Sequence, residues 1–73
     1  MGEPVETSYV DGMWRNSVGG GCPLPGEYRT RESAIEVGRG EARVRGVVHV
    51  VRGVDGCVNE RNRYPRRSDE LPG

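Results

Sequence analysis

Residues 30–64, TRESAIEVGRGEARVRGVVHVVRGVDGCVNERNRY, decide the fold. Thr30 is a good helix N-cap, because its hydroxyl can accept from a free N–H of the first turn. Glu32 suits the positive end of the helix dipole. Ala34, Ile35, Val37, Gly38 and Ala42 recur at helical spacing, with Glu36, Arg39, Glu41 and Arg43 around them. Gly46 closes the helix as a C′ glycine. Gly38 and Gly40 each cost the helix about 1 kcal/mol relative to alanine. Gly38 lies on the apolar face, where it allows a close approach to a sheet. Gly40 has no such explanation in the sequence. Val47 to Arg52 then reads as a strand, because valine suits a pleated surface. Asp55-Gly56 turns the chain, Cys57 to Tyr64 returns, and Pro65 ends the pairing because it has no N–H to donate. The length of that turn is open, and with it the pairing of the two strands.

Working outward, a second hairpin precedes the helix. Val5 to Val10 and Met13 to Val18 flank Asp11-Gly12, a pair suited to a two-residue type I′ turn. That register sets Val10 opposite Met13, Tyr9 opposite Trp14, Thr7 opposite Asn16 and Val5 opposite Val18. Val5, Tyr9, Trp14 and Val18 share one face, as alternation requires, and form the expected core. Glu6, Ser8, Arg15 and Ser17 occupy the other. Gly19 to Pro25 reads as a Gly- and Pro-rich connector. The three consecutive glycines suggest an anion-binding nest, but no phosphate-loop Gly-Lys-Ser or Gly-Lys-Thr follows. The expected fold is α+β of order β-β-α-β-β, a small antiparallel sheet with one helix packed on one face. Residues 3–65 make the single domain and 66–73 a flexible, charged C-terminal tail.

Composition bounds the rest. The chain has 73 residues, 33% hydrophobic, so its core is small. Its net charge of zero argues against disorder, and also against a strong pull of the whole molecule on nucleic acid or membranes. All eleven basic residues are arginine, the usage of a genome rich in G and C. No apolar run approaches the roughly 18 residues needed to span a bilayer. Met1-Gly-Glu-Pro has no leader character, so the expected compartment is the cytoplasm, with Cys22 and Cys57 reduced. Cys57 reads as a strand residue and Cys22 as a loop residue.

The runs Arg31-Glu-Ser-Ala-Ile-Glu-Val-Gly-Arg39, Val47-Val-His-Val-Val51, Asp55-Gly56 and Asn59-Glu-Arg-Asn-Arg-Tyr64 resemble a small bacterial family, domain of unknown function 2188. Trp14 after Asp11-Gly12, followed by a Gly-rich loop, is similar to its N-terminal half. The resemblance covers the chain except for the tail and is of an actinobacterial type. It implies no catalytic residue, ligand or partner.

The residues themselves carry no enzyme signature, so the expectation is a non-enzymatic protein without cofactor. His49 lies alone in a valine strand and reads as structural. Cys22, His49 and Cys57 are three irregularly spaced donors, too poor a set for zinc. One local charge asymmetry remains. Arg61, Arg63, Arg66 and Arg67 gather around Tyr64, and arginines beside an aromatic suit a phosphate backbone and a stacked base. Weak nucleic-acid binding through Arg61, Arg63, Tyr64, Arg66 and Arg67 is therefore the alternative reading. The leading one is an accessory protein that acts through protein interaction or self-association, with an unknown protein partner. Its motive is Val47, Val48, Val50 and Val51. One helix covers one sheet face, and valines on the other are expected to drive a homodimer.

Overall fold

The computed structural model describes residues 2–65; the tail assigned to 66–73 lies outside them. Strands β1 (Val5–Val10) and β2 (Met13–Val18) are followed by a two-residue strand β3 (Cys22–Pro23). Helix α1 (Arg31–Arg45) comes next, then β4 (Val48–Arg52) and β5 (Val58–Arg63). The strands form one sheet of order β3-β2-β1-β4-β5.

The first hairpin has the register its turn dictates, from Val10 opposite Met13 to Val5 opposite Val18. Asp11 and Gly12 both hold positive φ, 50° and 85°, as a type I′ turn demands. The helix also begins and ends as its residues require. Thr30 accepts from the Ser33 N–H at 3.2 Å. Gly46 sits at φ 69°, and its N–H reaches the Ala42 carbonyl.

Three features depart from the simple meander. β4 inserts beside β1 and runs parallel to it, with Val5 opposite His49 and Thr7 opposite Val51; the other strand pairs are antiparallel. A parallel pair needs a crossover, and α1 supplies it. The glycine-rich connector adds β3 to the outside of β2, and Tyr28 bridges back to Trp14. The two cysteines exchange roles: Cys22 is in β3 and Cys57 precedes β5, both free and exposed. The cause at Cys57 is a longer loop. Gly53 N–H donates to the Cys57 carbonyl at 2.9 Å, Asp55 Oδ1 accepts from the Cys57 N–H at 3.1 Å, and the ladder slips between Val51 and Arg52.

Helix α1 lies across β1, β2 and β4. Its buried residues are Ala34, Gly38 and Ala42, one small side chain per turn. Beneath the last turn, Val5, Ala42 and Val47 form an apolar cluster that Leu24 and Tyr64 cover in part. Toward the other end of β1, Tyr9 meets Trp14 edge-on, with ring centroids 5.1 Å apart. Between them the core turns polar. Thr7, Asn16 and His49 are all buried under Gly38.

Candidate interaction surface

The helix occupies one side of the sheet and leaves the other open. Alternation puts Glu6, Ser8 and Val10 of β1 on the open side, with Met13, Arg15 and Ser17 of β2. The same rule adds Val48, Val50 and Arg52 of β4, and Arg61 and Arg63 of β5.

Two of these arginines are already engaged. Arg52 meets Glu6 at 3.0 Å and donates to the Gly56 carbonyl at 2.9 Å. Arg15 meets Glu27 at 3.3 Å. Among the described residues, no carboxylate pairs with Arg61 or Arg63. Beside them runs a groove of about 500 Å³, lined by Gly2, Pro4, Gly46, Val47, Val48 and Val50 as well as the two arginines. Apolar lining next to unpaired guanidinium groups suits a partner that is apolar in part and anionic in part.

The four valines proposed for self-association divide between the faces. Val47 and Val51 are buried on the helix side. Val48 is half-buried on the open face. Val50 also faces that side, yet is only 6% exposed. Its sheet neighbours there are Glu6 and Arg61, whose long aliphatic stems shield it.

Of the proposed nucleic-acid residues that the structure describes, two share a face and one does not. Arg61 and Arg63 share the open face, but Tyr64 belongs to the helix side. There it packs on the Val5–Ala42–Val47 cluster, and the Arg43 guanidinium lies 5.4 Å from its ring centre. Tyr9, Trp14 and Tyr28 also belong to the helix side, since residues directly opposite in a ladder share a face. Arg66 and Arg67 lie outside the described residues.

The polar core is the other cluster of chemically capable groups, and sequence reasoning missed it. Its signal was Thr7 opposite Asn16 on the face that carries Val5 and Trp14. Asn16 Nδ2 donates to the Ala34 carbonyl at 3.0 Å, which fixes the amide. Its Oδ1 therefore accepts the Thr7 hydroxyl proton at 2.5 Å. With its proton committed, Thr7 accepts from His49 Nε2 at 2.8 Å, so that nitrogen carries hydrogen. A nucleophilic hydroxyl needs the opposite polarity, with the imidazole as acceptor. The trio thus acts as a structural bridge between β2, β1 and β4. Burial holds the His49 pKa below its ordinary value; Arg39 adds to the lowering and Glu60 opposes it. Cys22 and Cys57 stand toward opposite edges of the sheet, away from this buried imidazole. Among the described residues, no three His, Cys, Asp or Glu side chains gather as metal ligands, and no helix is long and apolar enough to cross a membrane.

Fold and surface together define a small α+β unit, with a closed helix-covered core and an open face edged by arginines. Over residues 5–64 the chain matches the family described as "uncharacterized protein conserved in bacteria", domain of unknown function 2188, and it belongs to that family. Comparison with curated proteins and with solved structures found no match.

Proposed function

We propose that this protein is a non-enzymatic interaction module that binds a protein partner on the open face at β4 and β5. The observation that carries this reading is the groove at Val48 and Val50, with Arg61 and Arg63 unpaired beside it among the described residues. The buried Thr7–Asn16–His49 bridge supports it from below by tying β4, one wall of the groove, to β1 and β2. Two exposed thiols suit a reducing compartment such as the cytoplasm. Nucleic acid is the weaker occupant, because all four aromatic rings belong to the helix side and offer no stacking platform beside the arginines.

The test is affinity capture from the native bacterium with the full chain and two variants, Val48→Asp and Arg61→Glu with Arg63→Glu. A set of proteins held by the parent, lost by both variants and unaffected by nuclease is the expected result. Proteins held equally by all three chains, or released by nuclease, would sink the reading.

A further inference from the structure

We infer that the free edge of β5 takes up an extended acidic segment of a partner protein as an added strand. This rests on the open-face reading and specifies the partner's chemistry.

β5 is an outermost strand of the sheet, and every residue in it is exposed. Its backbone polarity follows from its pairing with β4. The Tyr64 N–H donates inward to the Val47 carbonyl at 3.3 Å. Backbone groups alternate in direction along a strand, so Asn62 and Glu60 also point inward. Arg61 and Arg63 therefore aim their N–H and C=O groups outward, where the described residues offer no further strand. Among the described residues, the two that present this outward backbone also carry guanidinium groups with no carboxylate partner.

An added strand would set its own side chains directly opposite Arg61 and Arg63 on the open face. Opposite charges at such positions stabilise a ladder, and like charges oppose it. Carboxylates two residues apart fit both guanidinium groups. The residue between them stands opposite Asn62 and projects toward the helix side, with Glu60, already paired with Arg31 at 3.6 Å, on the diagonal. A small neutral residue fits there.

The same rule argues against a second copy of this chain on the edge. A two-fold antiparallel addition keeps both open faces on one side, so odd residues meet odd and even meet even. The two registers of greatest overlap then set Glu60 against Glu60, or Arg61 against Arg61. The edge resists its own kind and favours an acidic strand, a sequence-selective form of edge protection.

The probe is a capped peptide, Thr-Glu-Thr-Glu-Thr, titrated into the isotope-labelled full chain. Controls are its Gln-for-Glu analogue and an analogue N-methylated on the amides that would face β5. The expected result is new hydrogen-exchange protection at the Arg61 and Arg63 amides. The Gln peptide should bind about tenfold more weakly, the product of two lost cross-strand ion pairs. The N-methylated peptide should give no protection, and Arg61→Gln with Arg63→Gln should erase the preference for Glu. Three results would overturn the inference. One is protection of both amides in the free protein, which would mean that the edge is already occupied. Another is equal binding of the Glu and Gln peptides. The third is a response at Val48 and Val50 with Arg61 and Arg63 amides unprotected, which would reject strand addition and leave the open-face reading standing.

Discussion

Gly38 of the helix sits over Thr7 of the sheet so closely that a Cβ at Gly38 would lie 2.8 Å from the Thr7 hydroxyl oxygen. The same Cβ would fall 2.6 Å from Asn16 Oδ1 and 2.7 Å from His49 Nε2. The Thr7 hydroxyl is hydrogen-bonded to both of the others, so the three do not give way cheaply. Gly40, two residues on, has open space where its Cβ would stand.

The two glycines therefore respond to alanine with opposite signs. Gly38→Ala overpacks the polar core and is expected to cost about 1–3 kcal/mol. Gly40→Ala relieves an unfavourable helix residue and is expected to gain up to about 1 kcal/mol. Urea unfolding of both variants, followed by Trp14 fluorescence, checks the pair. A destabilised Gly40→Ala would show that the glycine meets a contact beyond the described residues.

Thr7→Val keeps the shape of the side chain and removes its hydroxyl. Asn16 Oδ1 and the His49 Nε2–H both lose their partner. Each buried group left unpaired costs about 1–3 kcal/mol. Thr7→Ser, which keeps the hydroxyl, should lose less. Equal stability of Thr7→Val and the parent would refute the bridge.

His49 makes stability depend on pH in one direction. Its folded pKa lies below the ordinary 6.5, chiefly through burial and then through Arg39. Above 6.5 the imidazole is neutral in both states, and its stabilising contribution is complete. As pH falls below that value, the unfolded chain takes up a proton that the folded chain resists. Stability is lost until the folded pKa is reached, with a limiting slope of about 1.4 kcal/mol per pH unit. Chemical unfolding between pH 7.5 and pH 5, repeated with His49→Asn, isolates this contribution; the variant should show a shallower fall over that range.

Trp14 is 7% exposed and is braced by Tyr9. Trp14→Ala is expected to cost about 3–5 kcal/mol. Small domains hold only about 5–15 kcal/mol in all. The variant should therefore populate the unfolded state at ordinary temperature, as a loss of cooperative thermal melting in circular dichroism would show.

The elements of this fold were legible where one local device decides them. Asp11-Gly12 specifies the register of all twelve residues of β1 and β2, and Thr30 and Gly46 bound the helix. Strand order is a different matter. Nothing in the alternation of Val48–Arg52 says whether β4 lies beside β1 or β2, so the parallel pair was hidden. β3, two residues long, is too short for any periodicity. The valine run is apolar on both sides, which conceals how far Glu6 and Arg61 shield Val50. At the candidate site, alternation was enough to put Arg61 and Arg63 on one face. Grouping Tyr64 with them followed closeness in the chain, whereas alternation sends it to the other side. The free backbone of β5 was invisible in the sequence, because it depends on which strand stands outermost.

The parallel pairing of β1 with β4 makes the sheet two halves joined along a single central seam. Each half zips from its own turn, but the seam closes only when Thr7 finds His49, 42 positions away. Loop-closure entropy opposes that meeting, and neither hairpin alone encloses a core. The Thr7–His49 bond lies on the seam itself, so it works as a catch that holds once the halves have met. Binding at β5, on the outer margin of one half, would leave the seam untouched.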